Sequence, residues 1–380
     1  MNLEKTSSCI VEQNKYLTGK IGILTYNNVH NYGAILQMYA LTRIFQSKGF
    51  LPIVLQFKRN YSVKPLEAKK KYDIGFGSIF YYLSWMIENG LRKTLFNILK
   101  FISLKIFKKR CFNLGRDYSE ELDLKKVCIG SDEVFAVDVG FNPVLYGIGV
   151  PCSQIFSYAG CFGKSTYQDV LRIGAQTLIK EGLEKLQAIS LRDENSQYIV
   201  EQILGKRCAI HCDPVILYGF HQEIERAKLS IDLSDYLVIY SYDNNMNKTE
   251  EIVAIKTFAT MKGLKTVSVG FYHDWCDYNV VADPLKTLGW FANSSCVITD
   301  TFHGSILSII TRKKFATLVR ENKNKAMHLL SSVSLEDRIL KYIDEMPSVI
   351  DKDIDYDCVE EKINAQRKSA QNYIEGCLNR

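Results

Sequence analysis

At 380 residues, with 47% hydrophobic and 24% charged side chains, the chain is long enough for two packed cores and too apolar to be disordered. Seven prolines and 23 glycines exclude a fibrous repeat, and no stretch reaches the ~18–20 uninterrupted apolar residues that span a bilayer. Formal net charge is +6, concentrated in residues 58–126, where sixteen Lys/Arg face seven Asp/Glu.

The start, MNLEKTSSCIVEQNKYLTGK, lacks the apolar core of a signal peptide, so a cytoplasmic protein is expected. KIGILT (20–25) reads as a short buried strand running into YNNVHNYG, a turn rich in Asn and Gly. AILQMYALTRIFQSKG then sets Ile35, Leu36, Tyr39, Ile44 and Phe45 at helical spacing and stops at Gly49, and LPIVLQF (51–57) is a second strand. This strand–helix–strand unit is the building block of a doubly wound sheet.

Residues 60–115 differ, with two aromatic-rich helical stretches, GSIFYYLSWMI and LFNILKFISLKIF. In the second, Leu95, Ile98, Leu99, Ile102 and Ile106 share one face, with Lys93, Lys100 and Lys108 opposite. Two arrangements are open: the stripe packs on the sheet with its lysines in solvent, or it lies on a membrane surface with Tyr81, Tyr82 and Trp85. The basic run contains no reader motif for nucleic acid, and none is expected as a partner.

Strands resume at 126–130, 154–160, 186–192 and 207–217. A second α/β series follows: YLVIYSY (236–242), a helix over 248–261, TVSVGF (266–271), a helix around 284–293, CVITD (296–300), a helix over 305–312 and FATLV (315–319). The expected architecture is α/β, two Rossmann-like domains facing a cleft. The first spans 19–217, with a helical basic insertion at about 60–115; the second spans 235–345, and a C-terminal helix covers 358–378. Ligands of such sheets bind beyond the carboxyl ends of the strands. NNVHNYG, GSDE, RDEN and TDTFHG all fall there.

No metal is expected. Cys208 and Cys212 flank His211 in a strand-like run whose alternating side chains diverge, and most of the eleven cysteines read as reduced core residues. DKDIDYD (351–357) fails as an EF-hand loop because its sixth position is Tyr356.

Taken in order, NYGAILQMYAL, IGSDEVF, FSYAGCFG, ISLRDENS with HCDPVIL, and ITDTFHGSIL followed by ENKNKAMHLL resemble the polysaccharide pyruvyl transferase family over roughly residues 19–342. The resemblance implies a GT-B-like fold, with the acceptor on the first domain and the donor on the second. It further implies transfer of a pyruvyl group from phosphoenolpyruvate to a sugar or lipid-linked sugar, with no cofactor beyond that donor. Two departures stand out. The family's GSDxVWN reads GSDEVFAVD, with Phe135 and Ala136 replacing an indole and an amide. Its KNSR-like pattern reads Lys323-Asn324-Lys325-Ala326, without the arginine. By this reading the donor site is better kept than the acceptor site.

His303 sits in the strand-to-helix turn beside backbone N–H groups expected to be free from Ser305 onward, with Thr301 and Gly304, a setting suited to phosphate and proton transfer. Arg192 can grip the donor carboxylate with two parallel hydrogen bonds, or pair with Asp193 or Glu194. Lys323 is a candidate phosphate partner among nearby lysines. Asp132 either takes a proton from the acceptor hydroxyl or caps a helix. Asn28, Asn31, Tyr32 and Gly33 shape the opposite wall or simply form a turn. A nucleotide-sugar glycosyltransferase and a non-catalytic carbohydrate-binding protein are the competing readings.

Overall fold

The computed structural model describes residues 18–380 apart from 30, 59–89, 139 and 321–322. The first helical stretch of the basic insertion, with Tyr81, Tyr82 and Trp85, therefore lies outside the described residues. Two parallel sheets organise the chain. The first has five strands: β1 (Gly19–Leu24), β2 (Phe50–Gln56), β3 (Leu114–Asp117), β4 (Leu124–Ile129) and β5 (Ile155–Ser157), in the order β3-β2-β1-β4-β5. A short pair, β6 (Ser190–Leu191) and β7 (Ala209–Ile210), lies beyond β5. The second sheet holds β8 (Tyr236–Tyr240), β9 (Lys265–Val269), β10 (Tyr278–Val280), β11 (Cys296–Thr299), β12 (Lys314–Leu318) and β13 (Ile339–Leu340), in the order β10-β9-β8-β11-β12-β13. Central strands such as β8 and β11 are buried throughout, which is why they read as continuous apolar runs rather than alternating ones.

The predicted strands 186–192 and 207–217 shrink to two residues each. In the second, Asp213-Pro214 ends the extended run: Asp213 caps the helix Pro214–Tyr218, and proline at its first position cannot donate to a ladder. The helix expected at 305–312 begins earlier, spanning Phe302–Ile310.

The helix Tyr32–Ser47 is buried nearly all round because it sits between the halves. Its Ile35, Leu36 and Tyr39 share one core with Val238, Leu288 and Ile306 of the second sheet layer. The last helix, Tyr356–Leu378, starts against the second half and ends on the first sheet, where Ala370, Ile374 and Cys377 cover Ile21, Ile23 and Phe156.

The helix Leu91–Cys111 corrects one expectation. It does not bury the Leu95/Ile98/Ile102 stripe against a sheet with Lys100 in solvent. Phe96, Lys100, Leu104 and Phe107 face inward, and the Lys100 ammonium lies 5.3 Å from the Tyr32 ring and 4.4 Å from that of Phe271. Cation–π contact compensates part of the ammonium's lost hydration, and burial pulls its pKa down to about 8. Lys108 also turns inward, donating to the carbonyls of Asn27 (2.7 Å) and Val29 (3.2 Å), while Phe96 packs edge-on against Tyr272. This helix straps one half to the other.

Candidate active site

Loops at the carboxyl ends of β1, β4 and β6 meet those of β8, β11 and β12 at the interface between the halves. The opening turn of the helix Phe302–Ile310 is built by its own sequence. Thr301 caps it, its hydroxyl accepting from Gly304 N at 2.9 Å, and Thr301 N donates to the Thr299 hydroxyl at 3.0 Å. That hydroxyl leaves no room beside Gly304, where a Cβ would stand 2.0 Å from it. Ser305 is not a free anion donor: its N–H bonds the Thr301 carbonyl, and its hydroxyl is buried against Thr317 at 2.9 Å. The N–H groups lacking an acceptor within the helix are those of Phe302 and His303, one turn earlier than expected.

His303 is buried, with Nε2 3.8 Å from Asp213 Oδ2 and no hydrogen-bond partner on that nitrogen. Burial pushes its pKa down, against the pull of Asp213 and Asp132, so the ring is neutral at pH 7. Its other side presses on the first half: a Cβ at Gly33 would lie 2.2 Å from His303 Cγ and 2.3 Å from Nδ1. Gly33 is thus the surface on which the histidine seats.

Arg192 is the hub. Nη1 donates to Asp213 Oδ2 at 3.0 Å; Nη2 reaches Cys161 Sγ at 2.8 Å and Asp132 Oδ1 at 3.4 Å; the guanidinium stacks 4.7 Å from the Phe302 ring centre. Burial opposes its charge, but Cys161, Asp132 and Asp213 hold it protonated. The fork predicted to be open to a substrate is engaged by protein groups. Neither Asp193 nor Glu194 takes it, since Asp193 caps the next helix by accepting from Ser196 N. Nε is buried without a partner.

Asp132 stands in left-handed backbone (φ 81°), a strained geometry for a residue with a side chain, and it caps no described helix. Burial raises its carboxyl pKa, yet Arg192 and Lys325 outweigh that and keep it below the usual range. The backbone of Lys323 opens the helix Lys323–Ser332, and its side chain is outside the described residues. The lysine whose side chain reaches the site is Lys325, buried in an ion pair with Glu133 and 5.7 Å from the Phe302 ring centre.

Asn31 caps the helix Tyr32–Ser47 through Gly33 N and bridges the halves by donating to the Tyr242 hydroxyl at 3.1 Å. Asn28 is exposed and does not line the cavity; Tyr32 is buried behind it, packed on Gly270. Phe135 also departs from expectation. It packs between Tyr146 (5.1 Å) and Phe162 (5.7 Å) in the first core, so its ring fills that core rather than facing the cleft.

Together Asn31, Asp132, Tyr242, Asp300, His303 and Lys325 surround a cavity of about 200 Å³ between the halves. It adjoins a groove of about 1080 Å³ through shared walls at Glu133, Tyr242 and Arg320. Sequence reasoning missed Asp213, Glu133, Phe302 and Lys325, although HCDPVIL and GSDEVF contain the first two. Among the described residues no group of three or more His, Cys, Asp or Glu is placed to hold a metal, and no helix is long and apolar enough to cross a membrane.

A sequence profile of the family described as polysaccharide pyruvyl transferase matches residues 31–322. No curated protein matches the chain. Among solved structures it is similar to a UDP-forming trehalose-phosphate synthase from Burkholderia xenovorans, at 8% identity and TM-score 0.50, over 95% of this chain and 98% of that one. UDP-GlcNAc 2-epimerases from Methanocaldococcus jannaschii and Neisseria meningitidis are similar at 12% and 11% identity, with TM-scores of 0.49 and 0.48. They cover 95% and 94% of this chain and 99% of each of theirs. At these identities the synthase likeness speaks for the fold alone, the GT-B-like arrangement of two parallel α/β layers.

Proposed function

Because the chain belongs to the polysaccharide pyruvyl transferase family, we propose that it transfers a pyruvyl group from phosphoenolpyruvate to a sugar. The sugar would belong to a surface polysaccharide or its lipid-linked precursor, and the product would be a ketal. One observation carries this reading: Lys325, Asp132 and His303, drawn from both halves, line a small polar cavity, with the Arg192 guanidinium directly behind Asp132. Its volume of about 200 Å³ falls below the ~300–1,000 Å³ usual for drug-sized ligands, which favours a three-carbon donor over a sugar nucleotide. The adjoining groove is left for the sugar.

In this scheme Lys325 and the N–H groups of Phe302 and His303 meet the donor phosphate. A donor carboxylate takes over the long 3.4 Å arm of Arg192, releasing Asp132. His303, neutral before the donor binds, takes the proton of the donor's phosphate monoanion and passes it to the methylene carbon, and the acceptor hydroxyl attacks C2 while Asp132 accepts its proton. A second hydroxyl then displaces phosphate from C2 to close the ketal; its proton leaves with the phosphate, and Asp132 returns its own to solvent. A placed acid or base of this kind contributes ~10²–10⁴-fold. No cofactor is assigned.

The adjoining groove is the one observation favouring a nucleotide-sugar glycosyltransferase. A purely carbohydrate-binding role would show as sugar binding without phosphate release. The test is phosphate release from phosphoenolpyruvate by the purified protein, offered candidate sugar acceptors. Acceptor-dependent release, lost in folded His303→Ala and Arg192→Ala variants, is expected. Release of nucleoside diphosphate from a sugar nucleotide, with phosphoenolpyruvate untouched, would overturn the proposal.

A further inference from the structure

The helix Leu91–Cys111 has two faces of opposite character. Its inner face, Phe96, Lys100, Leu104 and Phe107, is consumed by the strap between the halves. Its outer face carries Leu91 (72% exposed), Leu95, Ile98, Leu99, Ile102 and Ile106 (59%). At 100° per residue these six fall within one arc about 100° wide. Arg92 borders that arc on one side, Lys105 borders it on the other, and Lys109 lies at its C-terminal end, all three exposed. The helix contains no Asp or Glu.

We propose that this outer face docks on an anionic lipid surface. A contiguous apolar stripe edged by cations is the pattern of a helix lying in the plane of an interface, with aliphatic side chains in the acyl boundary and ammonium groups at the headgroups. The charge also argues against a second copy of the chain as occupant. A two-fold interface would lay Arg92, Lys105 and Lys109 against their own counterparts with no acidic residue on the helix to answer them. The inner face of the same helix holds the loop at Asn27 and Val29, so docking would bring the cleft to the lipid surface, within reach of a lipid-linked acceptor.

The experiment is co-sedimentation of the full chain with phosphatidylcholine vesicles containing phosphatidylserine, and with phosphatidylcholine alone, at low salt. Binding to the anionic vesicles is expected. Arg92→Gln, Lys105→Gln and Lys109→Gln should each lower partitioning about 5-fold, and together ~100-fold. Ile98→Ser with Ile102→Ser and Ile106→Ser should abolish it while leaving thermal stability nearly unchanged, since these side chains already face out. Three results overturn the proposal. Anionic vesicles fail to retain the protein, or retention is the same in either variant set. Alternatively, the serine set turns a dimer into a monomer or lowers stability without changing retention, which would identify the cover as protein. Because the readout is binding, failure leaves the pyruvyl-transfer reading standing.

Discussion

Gly33→Ala tests whether the site depends on the seating of His303. The added methyl would stand 2.2 Å from His303 Cγ and 2.6 Å from its Cβ, against a comfortable ~3.5–4.0 Å for carbon atoms. The histidine or the helix Tyr32–Ser47 must therefore retreat by roughly 1.3 Å. Neither is a flexible tip, since the clash falls at the root of the ring. In isolation alanine favours a helix over glycine by up to ~1 kcal/mol, and overpacking of this kind costs ~1–3 kcal/mol. The net destabilisation is then at most about 3 kcal/mol, several degrees in Tm. A displacement on the order of 1 Å at a reacting group costs ~10²-fold in rate. The expected outcome is a kcat/KM for phosphate release reduced about 100-fold in a protein that still melts cooperatively. Normal turnover in Gly33→Ala would refute the reasoning.

Two further expectations follow from the geometry. Asp132→Asn should lower kcat while leaving phosphoenolpyruvate affinity intact or improved, since the carboxylate repels the donor and competes for Arg192; a large loss of donor affinity by calorimetry would contradict its acceptor-side role. His211, buried beside the Ser190 hydroxyl at 2.8 Å, has its pKa pulled down to about 4 by burial. The unfolded chain takes up that proton near pH ~6.5, so stability is fully present above ~6.5 and falls as pH drops toward 4, by up to about 3 kcal/mol. His211→Gln should flatten that part of the pH–stability profile, and an unchanged slope between pH 6.5 and 4 would rule the group out.

The parts of the fold written locally were legible. Buried parallel strands announce themselves as apolar runs, and Asp-Thr-Phe-His-Gly between two such runs marks a strand end and a helix start. The sheet, the turn and the place of His303 follow from that. What the sequence could not supply is long-range pairing. Lys325 was overlooked beside Lys323 because its ion pair with Glu133 spans 192 residues. The Arg192 fork looked open because Asp213 and Asp132 are 21 and 60 residues away. Periodicity separated the two faces of the helix Leu91–Cys111 but not which one turns inward. Counting apolar residues favours the isoleucine stripe, whereas aromatic partners on the other half select the Lys100 face.

The return of the last helix to the first sheet has a consequence for how the protein is made. Ile21, Ile23 and Phe156 emerge early in synthesis, yet Ala370, Ile374 and Cys377, which cover them, come roughly 200 residues after Phe156. At ~5–20 residues per second, that face of the nascent sheet waits ~10–40 s for its cover. The first half of the chain is translated first but completed last, so vectorial folding cannot finish one half before starting the other.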